Sequence, residues 1–290
     1  MTSTEERPSA FPDLCNEFDL DREQRDVVRS FVDGNNVLVE APPGTGKTYL
    51  GAVLCIATLR FNLLPSHSSV LFLTFSRNAR VQIENQLARF KSEKKIWSEE
   101  ERRLKISNYH SLFFECIRER KGLWGAKNKL RVGSLKARRE RVKQALNSLA
   151  MSFGGTDDLF AEPATQPPHG KPSNREADDS KNLTSAFALH RFPAKTLFAS
   201  EKEYDQASIT EAYGVARDSL QRGMIHYDDF APLMLDLIES SRSFLLYLRI
   251  KYPILILDEY QDTDLLQWEI LKLWNPPRLA VFYDSFQMIY

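Results

Sequence analysis

The sequence has little cysteine and no long apolar run, and each scarcity removes a class of protein. Cys15, Cys55 and Cys116 are too few and too scattered for a disulfide framework or a zinc site, so they read as reduced thiols, two of them in the core. No stretch approaches the roughly 20 uncharged apolar residues of a membrane span. The opening residues MTSTEERPSA offer neither a basic start nor an apolar h-region, so the chain is expected to stay in the compartment where it is made, with no membrane partner. Net charge is missing as well, with 39 Lys and Arg against 39 Asp and Glu, and the balance argues neither for nor against a polyanionic partner. Its distribution says more. Between Arg118 and Lys143 eleven basic residues stand against Glu119 and Glu140, a cluster able to neutralise phosphates or, alternatively, a solvated basic helix face.

What is present is enough apolar residue, 42% of 290, for a buried core. Five short apolar runs read as strands covered on both faces: Val37 to Val39, Val70 to Leu73, the weaker Lys105 to Tyr109, Ile254 to Leu257, and Leu279 to Phe282. Helical periodicity lies between them at Glu23 to Phe31, Tyr49 to Leu59 and Ala79 to Phe90. That alternation predicts an α/β fold with a parallel sheet. The long gap between the third and fourth strands predicts an insertion. Its first part is basic and helical, residues 154–185 are rich in Pro, Gly, Ser and Asp and are expected to be a disordered loop, and helical pattern returns at Glu201 to Leu220 and at Tyr227 to Tyr247.

The segment Val37 to Thr48, VLVEAPPGTGKT, follows a strand and precedes a helical pattern, and it fits a phosphate-binding loop except that Ala41 stands where a glycine is usual. Pro43, Gly44, Thr45 and Gly46 form the turn. Gly44 and Gly46 let backbone N–H groups point at phosphate oxygens, Lys47 reaches the β- and γ-phosphates, and Thr48 ligates Mg²⁺. The cofactors predicted are therefore ATP and Mg²⁺. The strand Leu255-Ile256-Leu257 ends in Asp258 and Glu259, which places two acids at the carboxyl edge of the sheet. Asp258 is predicted to hold Mg²⁺ through water, and Glu259 to polarise the attacking water.

The string LILDEYQDTD, Leu255 to Asp264, resembles the signature of UvrD/Rep-type superfamily 1 DNA helicases, in which Asp-Glu-x-Gln-Asp-Thr follows the strand. Further segments agree in order. LDREQRDVV (Leu20 to Val28) resembles the family's adenine-recognising segment and implies that role for Gln24. LTFSRNAR (Leu73 to Arg80) and SNYHSL (Ser107 to Leu112) resemble segments beside single-stranded DNA, implying contacts from Thr74, Phe75, Ser76, Tyr109 and His110. LAVFYDSFQMIY resembles the Gly-Asp-x-x-Gln-Ser-Ile-Tyr motif, with Asp284 and Gln287 matching and Gln287 implied as γ-phosphate sensor; Tyr283 departs from Gly and Met288 from Ser. Gln261 is implied to couple the nucleotide site to the DNA track, with Asp262 and Thr263 building that turn. Tyr49 stands where many members carry Arg, and HYDDF (His226 to Phe230) resembles the family's lead-in to the fourth strand.

The resemblance implies a RecA-like ATP-binding domain at 18–115 and 223–290, an N-terminal tail at 1–17 and an inserted helical subdomain at 116–222. It implies an ATP hydrolase acting on single-stranded or tailed duplex DNA, moving 3′ to 5′, in the cytoplasm around a nucleoid or in a nucleus. A second RecA-like domain, whose arginines complete the nucleotide site in this family, is expected outside the chain, which would then turn over slowly by itself. Rival expectations are a helicase-like subunit of a recombination or defence nuclease complex, and a non-catalytic module in which nucleotide gates binding.

Overall fold

The computed structural model describes residues 11–42, 44–93, 102–152, 187, 190 and 206–287. The expected loop at 154–185, Pro43, Met288 and the start of the helix expected from Glu201 lie outside them. Helices among the described residues are α1 (Phe11–Glu17), α2 (Arg22–Val32), α3 (Lys47–Arg60), α4 (Arg77–Ser92), α5 (Tyr109–Arg120), α6 (Leu135–Ser152), α7 (Gln206–Gln221), α8 (Phe230–Ser240), α9 (Arg242–Lys251) and α10 (Leu265–Trp274). Strands are β1 (Val37–Glu40), β2 (Val70–Thr74), β3 (Leu104–Asn108), β4 (Arg131–Val132), β5 (Met224–Ile225), β6 (Ile254–Asp258) and β7 (Arg278–Tyr283). None of the described helices is long and apolar enough to cross a membrane.

Two compact units divide the chain, one of residues up to Leu112 together with Ile238 onward, the other from Phe113 to Leu237. The chain passes back into the first unit inside α8, so His226 to Phe230 lies in the second.

The first unit holds a five-stranded sheet in the order β1-β7-β6-β2-β3, every neighbouring pair parallel. All five strands coincide with the apolar runs of the sequence, and β2 and β6 are buried throughout, as continuous hydrophobicity requires. The register sets Thr74 beside both Asp258 and Asn108, and Glu40 beside Tyr283, which brings the chemistry-bearing residues to one edge. Tyr109, expected to end a strand, instead opens α5. The Ser111 N–H donates to Asn108 Oδ1 at 2.8 Å, and this side-chain bond turns the chain into a helix one residue early.

Helix α3 is apolar nearly all round and buried from Leu50 to Leu59, so it packs as a core element rather than a surface helix. Gly51 allows this closeness: a Cβ there would meet the Phe72 ring at 2.7 Å. Residues 11–17, expected as tail, form α1. Leu14, Cys15 and Phe18 lie in the same core as α3, because apolar side chains at helical spacing need a surface to bury against.

The second unit pairs α6 with α7 and adds a two-stranded parallel sheet, β4 with β5, that was not expected in a helical subdomain. The helical run expected over Tyr227 to Tyr247 is broken. A 3-10 turn occupies Tyr227–Asp229, and Ser241 ends the next stretch by accepting the Phe244 N–H at 3.3 Å. The basic cluster is also not one solvated face. Arg138 is fully buried and donates to Asp229 at 2.5 Å, while Asp229 accepts the His226 N–H at 3.0 Å. Lys121 donates to the carbonyls of Lys127 and Asn128 at 2.9 and 2.8 Å.

Candidate nucleotide site

The phosphate-loop segment leaves β1 as an extension of the sheet, the Ala41 N–H donating to Tyr283 O at 3.1 Å. It then turns through Gly44 (φ 80°) and Gly46 (φ 87°), left-handed conformations that glycine adopts without a Cβ penalty. Thr45 Oγ1 steadies the turn by donating to Pro42 O at 2.7 Å. Gly46 precedes α3, and no side chain caps that helix, so its first-turn N–H groups are offered to an anion. Lys47 sits inside the turn, 7% exposed, donating to Ala41 O at 2.8 Å with its Nζ 3.7 Å from Asp284 Oδ2.

Across the sheet edge, Thr48 Oγ1 donates to Asp258 Oδ2 at 3.2 Å, and the Glu259 N–H donates to Asp258 Oδ1 at 3.1 Å. Burial pushes the Asp258 carboxyl up to about 6, the Glu259 charge adds to this, and the Thr48 hydroxyl and Lys47 oppose it. The two acids leave the strand in different directions because Glu259 takes a left-handed conformation, φ 53° and ψ 48°. Gln261 Nε2 donates to the Glu259 carboxylate, and Gln261 Oε1 accepts the Asp284 N–H at 3.1 Å. One amide side chain thus joins the ends of β6 and β7.

No cluster of three or more His, Cys, Asp and Glu able to hold a metal occurs among the described residues. A hydroxyl and a carboxylate in contact are nevertheless a hard oxygen donor pair of the kind Mg²⁺ uses when phosphates and water complete its shell, and Thr48 and Asp258 fit that ion.

Gln24 serves its own helix first. Its N–H donates to Asp21 Oδ1 at 2.8 Å and its Oε1 accepts the Asp21 N–H at 3.2 Å, a capping box. Its Nε2 lies 3.7 Å from the point a Cβ on Gly46 would occupy, so the side chain also faces the phosphate turn. Tyr49 is anchored in the core, donating to Phe18 O at 2.6 Å with its ring edge-on to Phe90.

The residues matched to DNA-side segments are divided by burial. Thr74 is fully buried and Tyr109 is 2% exposed, its hydroxyl 3.2 Å from Thr263 Oγ1. Phe75 is exposed, His110 is half-buried, and Ser76 caps α4 by accepting the Ala79 N–H at 3.0 Å. Gln287 is exposed, and its N–H donates to Asp284 O at 3.3 Å. The structure thus gathers Lys47, Thr48, Asp258, Glu259, Gln261 and Asp284, and leaves Gln287 exposed. The part of Asp284 was missed. An apolar strand ending in an acid, the signal that found Asp258, occurs again at Leu279 to Asp284.

A family model described as the UvrD/REP helicase N-terminal domain matches residues 20–290. The chain is 25% identical over 261 residues to the ATP-dependent DNA helicase PcrA of Leuconostoc citreum, an alignment covering 88% of this chain and 31% of that protein. The chain therefore spans about a third of the length of the curated relative it matches.

Proposed function

The chain belongs to the UvrD/REP helicase N-terminal domain family, and from that premise we propose that it binds Mg-ATP and couples its hydrolysis to movement on single-stranded or tailed duplex DNA. The observation that carries the reading is the contact of Thr48 with Asp258 beside Lys47 and Glu259, at the carboxyl edge of a parallel sheet.

Mg²⁺, when bound, would supply charge that neutralises phosphate oxygens, held by Thr48 and, through water, by Asp258. The backbone N–H groups about Gly44, Thr45 and Gly46 bind phosphate, Lys47 adds its positive charge to the β- and γ-oxygens, and the Gln24 amide is turned toward the same loop. Glu259 accepts the proton of the attacking water, aimed by its left-handed backbone and held by Gln261. Phe75, Ser76 and His110 are the DNA-side contacts in this reading, with buried Thr74 and Tyr109 supporting them. By the family resemblance, direction is 3′ to 5′ and a second RecA-like domain supplies arginines to the nucleotide site, so this chain by itself binds Mg-ATP weakly and turns it over slowly.

The test is ATPase activity with and without single-stranded DNA for wild type, Lys47→Ala and Glu259→Gln. DNA-stimulated turnover that falls about 10²-fold or more in both variants supports the motor. Robust DNA-stimulated turnover by this chain alone would overturn the proposed dependence on a second domain. A nucleotide-gated, non-catalytic module is the second reading. It is favoured by Tyr283, which donates to Glu40 at 3.0 Å where the family motif has glycine, and DNA binding indifferent to both substitutions would select it.

A further inference from the structure

Lys47 is held from two sides. Its ammonium donates to Ala41 O at 2.8 Å and lies 3.7 Å from Asp284 Oδ2. The two partners differ in kind. Ala41 O is a neutral acceptor within the turn, whereas Asp284 carries a carboxylate with no exposed surface. Asp284 Oδ1 accepts the Phe286 N–H at 2.9 Å, but Oδ2 is buried without a hydrogen bond. A desolvated carboxylate oxygen in that condition is costly unless a positive charge lies near, and Lys47 supplies one.

The carboxylate is the fixed member of this pair. Its main-chain N–H is pinned by Gln261 Oε1 at 3.1 Å, and the same glutamine holds Glu259. The lysine is the movable member, a compact charge on a flexible four-carbon stem. A phosphate entering the turn competes with Asp284 for this one ammonium.

We propose that Asp284 is a positioning residue that acts as a built-in competitor for Lys47, holding the lysine against the end of β7 until a nucleotide triphosphate draws it into the phosphate turn. The proposal rests on the nucleotide reading of the site and adds to it a residue that lowers affinity. The ability of Lys47 to grip phosphate is set by a carboxylate 237 positions further along the chain, in the turn that Gln261 ties to the general base.

The experiment measures binding of Mg²⁺ with adenylyl imidodiphosphate by calorimetry to four forms of the 290-residue chain: wild type, Asp284→Asn, Lys47→Ala and the double variant. Asp284→Asn keeps the shape and an acceptor for the Phe286 N–H while removing the charge. It is expected to tighten binding about tenfold, the scale of freeing an ammonium from one unit charge a few ångströms away in a partly buried, partly screened site. In the Lys47→Ala background the same change is expected to have no effect. Unchanged or weaker binding by Asp284→Asn overturns the proposal, and equal tightening with or without Lys47 overturns it as well, since plain repulsion of phosphate would then suffice. If Lys47→Ala binds as wild type does, the nucleotide reading itself fails, and the two failures are told apart. A structural role alone would lower the melting temperature of Asp284→Asn without enlarging its shift on adding nucleotide; the proposal expects a larger shift. Asp284→Ser, which retains an oxygen acceptor, repeats the test should Asp284→Asn not fold.

Discussion

Thr48, at the start of α3, donates its hydroxyl hydrogen to Asp258, at the end of β6, and this single 3.2 Å contact ties the phosphate turn to the acidic edge of the sheet. If both residues serve one metal ion, Thr48→Ala and Asp258→Asn each weaken binding of Mg-ATP but leave binding of ADP without magnesium close to wild type. Losses in the double variant then fall short of the sum by about 1–3 kcal/mol, the coupling expected of groups in contact. Calorimetric titration in the presence and absence of magnesium checks this.

Arg138 and Asp229 form a buried ion pair in the second unit. Arg138→Met or Asp229→Ala leaves one buried charge uncompensated and is expected to cost about 3–5 kcal/mol in urea unfolding. The exposed lysines of the same segment behave otherwise. If they contact DNA phosphates, Lys127→Ala and Lys129→Ala each lower the slope of log affinity against log salt by about 0.7, and neither affects stability. Arg138→Met leaves that slope unchanged.

His226 is buried against Gly133, and burial, with Arg138 and Arg141 nearby and Asp228 opposing, pushes its imidazole down to about 4. The folded chain therefore keeps His226 neutral while the unfolded chain protonates it below about 6.5. Between those values the unfolded state binds more protons, so stability rises with pH and is lost as pH falls from about 6.5 toward 4. Asp229, whose carboxyl burial pushes up, acts in the opposite sense. The comparison that isolates the histidine is melting temperature against pH for wild type and His226→Gln, and the variant is expected to show the flatter profile through this window.

Phe75 and Tyr109 separate contact from support. Phe75→Ala is expected to weaken binding of an oligothymidine by about 1–3 kcal/mol in fluorescence anisotropy, the loss of one stacking platform. Tyr109→Phe removes the bond to Thr263 and costs about 1 kcal/mol of stability, leaving DNA affinity as it was.

β2, β6 and β7 were legible because each is a near-continuous apolar run, β3 being the weaker signal, and the placement of Lys47, Thr48, Asp258 and Glu259 at one sheet edge was legible because a glycine turn and an acidic strand end are local patterns. What escaped is non-local. Arg138 reads as one more surface charge until its partner, 91 positions along the chain, is known. The β4–β5 pair is too short for any periodicity, and the tail at Phe11 to Glu17 was dismissed although Leu14 and Cys15 carry the spacing of a buried helix face. Ser241 divided a helical run because its cap bond competes with continued periodicity. The motif match at Asp284 likewise says nothing of the lysine it faces, which lies 237 positions earlier in the chain.

The left-handed backbone at Glu259 sets two interests of the molecule against each other. A non-glycine residue wound that way costs of order 1 kcal/mol or more, which glycine would relieve. A position where the protein could simply be made tougher is thus the one to which the proposed function assigns the base for the attacking water. A search for heat-resistant variants that ignored turnover would be drawn to Glu259→Gly and, if the proposed function holds, would return a sturdier, idle protein.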